Sequence, residues 1–215
     1  MRNLGLLGCV GALVLALLLF GGYFISVRNN LVGLEETVNQ QWAQVESQYQ
    51  RRYDLIPNLV RTVQGAANFE KSTLEAVVNA RARVGQVQMA APADPAQMAQ
   101  FEQAQGALSS ALSRLLVVVE RYPELKANQN FLELQSQLEG TENRIAVERM
   151  RFNESARGYN TAIRRFPASL VASMSGFKAR PYFSTTTPEA KNAPAVDFPS
   201  FGTTTAPPAT TTTNP

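Results

Sequence analysis

The sequence predicts an all-α protein, with an N-terminal transmembrane helix followed by an antiparallel bundle of about four long helices. Three observations carry this. Residues 4–25 contain neither charge nor proline, and a run of roughly 20 such residues is long enough to cross a bilayer as a helix. Between Pro123 and Pro167, the residues Phe131, Leu138, Ile145, Phe152, Tyr159 and Phe166 recur every seventh position, which keeps one stripe of a supercoiled helix against its neighbours. The stretches between these segments carry apolar residues at intervals of three and four, the mark of amphipathic helices.

Residues 1–28 form the anchor and its flank. A cleaved signal peptide would have an apolar core of about 7–15 residues ending in a small-x-small site, which Tyr23, Phe24 and Ile25 do not provide. Leu6, Leu7, Gly8 and Cys9 look like a lipidation box, but too few residues precede Cys9 for the usual targeting region. Arg2 and Arg28 flank the span on opposite sides, so the basic-residue rule for orientation does not decide between them. With Cys9 as the sole cysteine, no intrachain disulfide can form.

Residues 29–183 read as the bundle. Leu31, Leu34, Val38, Trp42, Val45, Tyr49, Tyr53 and Ile56 continue a helix out of the membrane. A break is expected at Pro57, which lacks a backbone donor and disfavours helical geometry at Ile56, with Asp54 capping a fresh helix. That second helix takes Leu59, Val63, Ala67, Leu74, Val77, Val78, Val84 and Val87. After the loop MAAPADP, Asp94 and Pro95 supply a cap and first-turn pair for a third helix through Met98, Phe101, Ala104, Leu108, Leu112, Leu115, Leu116 and Val119, stopping near Tyr122. Pro123 is expected to open the long helix, whose second row holds Leu134, Glu142, Arg149 and Ile163. A short helix ended by Gly176 and an extended aromatic segment follow. Residues 184–215, rich in threonine and proline, are expected to be disordered.

The chemical inventory is narrow. The chain has no histidine, so it lacks the usual general base and the commonest nitrogen ligand for metals. A di-iron carboxylate bundle needs Glu-x-x-His pairs that this chain does not have, and there is no phosphate-binding glycine loop. No cofactor, no metal and no catalytic residue are expected. The 16 arginines are distributed among 14 glutamates, giving no basic stripe for nucleic acid. The candidates are instead polar residues on helical faces: Arg51, Arg52, Asp54, Pro57 and Asn58, then Glu139, Glu142, Asn143, Arg149, Asn153 and Asn160 on the long helix. They read either as register-fixing ion pairs or as a polar surface or pocket for a partner. Phe177, Tyr182 and Phe183 lie outside the helical periodicity, and either clamp the bundle or form a docking strip.

Seven strings carry a family resemblance: NLVGLEETV followed by Trp42, RRYDLIPNLV, ARA at positions 80–82, YPELKANQNF, LEGTENRIA, FNESARGYNTAIRRFP and GFKARPYF. In that order, over residues 29–183, the chain resembles the bacterial LemA family, with Phe152 where that pattern has tyrosine and with a tail outside it. The resemblance implies an all-helical bundle tethered to the bacterial cytoplasmic (inner) membrane as a single-pass protein, without established enzyme activity. It leans toward a bundle on the cytoplasmic side. Genomic settings of similar proteins imply an adaptor for membrane zinc metalloproteases or other envelope proteins. The expected function is therefore a non-enzymatic, membrane-anchored scaffold with the lipid bilayer and protein partners as its contacts. A homo-oligomeric, membrane-organising protein is the alternative, and a sensor or enzyme using buried carboxylates ranks third.

Overall fold

The structure, a computed structural model, describes residues 2–66, 69–87 and 91–184, with side chains from residue 11 onward. Among these, six helices follow one another: α1 (Arg2–Gln64), α2 (Lys71–Gln86), α3 (Pro95–Val119), α4 (Pro123–Lys126), α5 (Gln129–Arg164) and α6 (Ala168–Ser175). The disordered tail expected from residue 184 lies outside the described residues apart from Ser184, as do Ala67 and residues 89 and 90 of the expected loop.

The 63 residues of α1 make a rod about 95 Å long at 1.5 Å per residue. Its first part is apolar and exposed, with Leu13, Leu17, Leu18, Leu19 and Phe20 uncovered, and it is long and apolar enough to cross a membrane. From Leu31 onward one face turns inward through Val38, Trp42, Val45, Tyr49, Ile56, Leu59 and Val63.

The expected break at Pro57 does not occur; α1 runs through it, and the chain leaves helical geometry at Gly65 instead. Leu59 and Val63 therefore belong to α1. A proline inside a helix strands the carbonyl four residues earlier, here that of Tyr53. Arg81 of α2 supplies the missing donor, its Nε giving a hydrogen bond to the Tyr53 carbonyl at 3.3 Å. The same guanidinium lies over the Tyr53 ring, 3.8 Å from its centroid. One turn along α2, Gly85 admits the phenol: a Cβ there would lie 3.2 Å from its oxygen. Asp54 is not a cap, but accepts a hydrogen bond from Gln50 Nε2 at 2.8 Å within the continuous helix.

At the start of α3, Asp94 Oδ1 accepts from the Gln97 amide at 2.9 Å, and Pro95 opens the helix. The long helix begins at Gln129 rather than at Pro123. Pro123 opens only the four-residue α4, because the Asn128 side chain accepts from the amides of Asn130 and Phe131 at 2.9 and 3.2 Å and so caps a separate helix. Of the sevenfold stripe, Phe131, Leu138, Ile145, Phe152 and Tyr159 are buried. Phe166 lies past the end of α5 and is 81 % exposed. α6 ends at Gly176, whose φ of 78° suits a residue without a Cβ.

Two apolar clusters form the core. One joins Ile56, Leu59 and Val63 of α1 to Leu74 and Val77 of α2, Leu108 and Leu115 of α3, and Phe131 and Leu138 of α5. The other joins Val38, Trp42 and Tyr49 of α1 to Phe101 of α3 and Ile145, Phe152 and Tyr159 of α5. Positions rise along α1 and α3 as they fall along α5, so α1 and α3 run together and α5 runs against them.

The Arg81 bond predicts a non-additive pair. Arg81→Ala should cost about 1 kcal/mol in the wild-type background, the worth of a hydrogen bond to an otherwise stranded carbonyl. It should cost less in Pro57→Ala, where the backbone amide satisfies Tyr53. Denaturant unfolding of the four proteins of this cycle in detergent measures the coupling, and equal costs in both backgrounds would remove Arg81 as the reason α1 survives its proline.

Candidate functional site

Between the two clusters a polar layer crosses the bundle. It takes one buried residue from each of three helices: Arg52 of α1, Gln105 of α3 and Thr141 of α5. Arg52 is 1 % exposed. Its Nη1 donates to Ser109 Oγ at 2.9 Å and to Glu142 Oε1 at 2.6 Å, and its Nη2 donates to Gln105 Oε1. Its guanidinium carbon lies 5.0 Å from the centroid of the Tyr49 ring. Thr141 closes its hydroxyl on the Gln137 carbonyl one turn back, at 2.7 Å. Burial pushes the Tyr49 hydroxyl above its usual pKa, an effect that Arg149 and Arg52 partly oppose. A buried cation is tolerable only where its partners compensate its desolvation, and here two of its three nitrogens are matched by side chains of α3 and α5. Glu142 is 43 % exposed at its side chain, so it reaches the layer from the bundle rim.

Arg149 pairs with α3. Its Nη2 bonds Glu102 Oε1 of α3 at 2.8 Å, and its guanidinium lies 4.6 Å from the centroid of Phe183. Phe183 is buried, stacked on Trp42 at 5.7 Å with an 11° interplanar angle and set edge-on to Phe152 at 5.4 Å.

Asn153 and Asn160 hold the segment 177–183 along α5 in two matched clamps. Asn153 Nδ2 donates to the Phe183 carbonyl at 3.1 Å, and its Oδ1 accepts the Phe183 amide at 2.9 Å. Asn160 makes the same pair with Arg180, both at 2.8 Å. The spacing explains the fit. Two helical turns between the asparagines rise about 10 Å, and three extended residues between Arg180 and Phe183 span about the same. Arg180 then crosses to α1, bonding Glu35 Oε1 at 3.0 Å and Asn39 Oδ1 at 3.1 Å. Phe177 packs against the same cluster, while Tyr182 points outward, 46 % exposed. Tyr159 lies buried here, and its desolvation raises its pKa.

The remaining candidates lie outside the core. Arg51, Asp54 and Asn58 are exposed and meet on one face of α1, where with Ser47, Gln50, Leu55 and Gln137 of α5 they line a shallow depression. Asn58 Oδ1 accepts from Arg61 Nη2 at 2.6 Å. Pro57 is half-buried in α1. Glu139 is exposed and accepts from Gln135 at 3.0 Å; Asn143 is exposed. Residues 51–57 and the segment 177–183 lie at different heights along α1. Arg180 reaches α1 at Asn39, and Arg51 begins twelve residues further on, about 18 Å along the helix.

Gln105, Ser109, Glu102 and Arg81 were not foreseen. For Gln105 the signal was present: Met98, Phe101, Gln105, Leu108 and Leu112 step by three and four, which puts a glutamine in the buried stripe of α3. Among the described residues no group of three acidic, cysteine or histidine side chains could hold a metal ion.

Comparison with known proteins identifies a family and relatives for this chain. The model of the LemA family matches residues 41–198. The chain is 28 % identical over 188 residues to the magnetosome protein MamQ of Magnetospirillum gryphiswaldense, covering 79 % of this chain and 69 % of that protein. It is 27 % identical to MamQ 2 of Paramagnetospirillum magneticum over the same shares. Protein LemA of Metamycoplasma hominis is 22 % identical over 152 residues, 70 % of this chain and 66 % of that protein.

Two outcomes follow from the layer and the clamps. Arg52→Ala should destabilise the bundle by roughly 3–5 kcal/mol, as for other broken buried pairs, whereas Glu142→Gln, at a half-exposed rim position, should cost about 1 kcal/mol; urea midpoints with unchanged slope test the order. Asn160→Ala and Asn153→Ala should each release the segment 177–183 before the helices melt. Trp42, the only tryptophan, reports this through a red shift in its emission as Phe183 leaves its face, and an emission maximum unchanged in both variants would count against the clamp.

Proposed function

Because the chain belongs to the LemA family, we propose that it is a non-enzymatic, membrane-anchored helical scaffold that binds other membrane or envelope proteins through the outer face of its bundle. One observation carries this reading: Arg51, Asp54 and Asn58 converge with Gln137 on an exposed depression, while their neighbour Arg52 turns inward and is occupied by Ser109, Gln105 and Glu142. Burial takes Arg52 out of the set able to touch a partner and leaves the other three available. The absence of histidine from the whole sequence and a narrow supply of nucleophiles and bases support binding over catalysis. The apolar first part of α1 supports attachment to a bilayer, and a bundle on the cytoplasmic side of the inner membrane is taken from the family resemblance, since Arg2 and Arg28 balance across the span.

Crosslinking in intact cells followed by mass spectrometry tests the proposal, with wild type beside an Arg51→Ala, Asp54→Ala, Asn58→Ala variant. A dominant heterologous membrane protein should be crosslinked in the wild type and lost in the variant at unchanged helix content. Self-crosslinks alone, retained in both strains, would overturn the adaptor reading in favour of a membrane-organising homo-oligomer.

A further inference from the structure

The end of the bundle beside the apolar segment of α1 carries an apolar face and a charge pattern that its own packing does not use. α6 packs against both α1 and α5, burying Val171 and Ala172. On α1, Leu31 is buried, and Phe24 and Val27 on the same face are partly covered where their neighbours are exposed. α5 has by then returned to the level of Leu34, since Ile163 and Leu34 flank the same aromatic cluster. α6 thus lies beside the stretch where α1 leaves its apolar run. From Ile25 to Leu31 the helix rises about 9 Å, comparable with the polar layer of roughly 5–7 Å that flanks each side of the hydrocarbon.

The outward face of this element is apolar. Leu170 and Met174, one turn apart on α6, are 55 % and 73 % exposed, and Phe166, in the turn that leads into the helix, is 81 % exposed. Exposed basic residues lie on the adjoining elements: Arg28 on α1, Arg164 and Arg165 at the end of α5, and Lys178 after α6. No acidic residue precedes Glu35 and none occurs from 155 to 184, and Glu35 is itself bonded by Arg180 at 3.0 Å. An apolar strip rimmed by arginine and lysine is the pattern of a helix that lies in a membrane surface and meets anionic headgroups.

We infer that α6 is an interfacial helix: Phe166, Leu170 and Met174 enter the headgroup and acyl boundary of the bilayer that α1 crosses, and Arg28, Arg164, Arg165 and Lys178 bind anionic phospholipid headgroups. This rests on the membrane attachment proposed above and adds a second, lipid-selective contact to it. The occupant is a lipid surface because the strip lies beside the membrane-spanning segment and because its charge is of one sign.

The full chain in a Cys9→Ser background tests this, with single cysteines from Leu18→Cys, Leu170→Cys, Met174→Cys and Val147→Cys. Each carries an environment-sensitive fluorophore in nanodiscs of phosphatidylcholine, with or without a minority of phosphatidylglycerol. At Leu170 and Met174 the emission should shift to the blue and be quenched by lipid-borne nitroxide. Aqueous iodide should quench the label at Val147, which is 41 % exposed in the middle of α5. The shift should weaken in neutral discs, and replacing Arg164, Arg165 and Lys178 by glutamine should reduce it to that level in anionic discs. Iodide quenching at Leu170 and Met174 equal to that at Val147, with the Leu18 label in lipid, would overturn the interfacial helix alone; a Leu18 label also open to iodide would overturn the anchor with it. Labels shielded from both quenchers would mean that protein covers the strip, and equal signals in neutral and anionic discs would remove the anionic headgroups.

Discussion

A guanidinium buried among three helices constrains the rest of the bundle. Arg52 gives up the hydration of a full positive charge, a loss repaid only by acceptors placed at the right height on neighbouring helices. Those acceptors are Ser109 and Gln105 on α3 and Glu142 on α5. Apolar packing tolerates sliding, since one leucine layer resembles the next. A slip of one heptad along α1 would bring Arg52 against the aromatic cluster around Trp42 and Phe101 or against the aliphatic cluster of Ile56 and Leu108. Neither offers it the matched set of Ser109, Gln105 and Glu142. The layer thus selects one register among several that burial alone would permit, the role best attested for polar groups in helical cores.

That register sets the second level of organisation. With α1 and α5 fixed, Trp42, Phe101 and Phe152 face one another with ring centroids 5.3 and 5.5 Å apart, and the gap between them admits one further ring, that of Phe183. The chain after α6 reaches this gap because Asn153 and Asn160 stand two turns apart and offer both a donor and an acceptor to an extended backbone. An asparagine side chain imitates a peptide group, so the segment 177–183 is hydrogen-bonded much as a strand would be, but by a helix face.

The helical class, the cap at Asp94, the stop at Gly176 and the buried stripe of α5 were legible because each depends on local spacing or on one residue's backbone preference. The two helix misreadings have different causes, one tertiary and one local. Pro57 reads as a break until Arg81, from another helix, supplies the donor it lacks. Pro123 reads as the start of α5 until Asn128 caps a new helix five residues later. At the site, single residues such as Arg52, Glu142 and Asn153 stood out as polar groups on buried faces, but their pairing did not, since Arg52 and Glu142 are ninety positions apart. The basic end was hidden in the same way: Arg28 and the group around Arg164 look like isolated charges along the sequence and come to the same end of the bundle only when α5 returns to its start.

Continuity of α1 links these features mechanically. A hinge at Pro57 would have let the distal half of the bundle swing relative to the span, and a hinge near Ser26 would have freed the whole bundle. Neither is present, as one helix runs from Arg2 to Gln64 with α6 packed against it near the apolar segment. The depression around Arg51, Asp54 and Asn58 therefore stands at a set height. Counted from Ile25 to Ser47, it begins about 33 Å along the helix, and Arg51 follows at about 39 Å. A partner engaging that face as proposed would be met well clear of the lipid headgroups, with the length of α1 before Arg51 as a spacer whose rigidity limits which proteins in the same membrane could reach it.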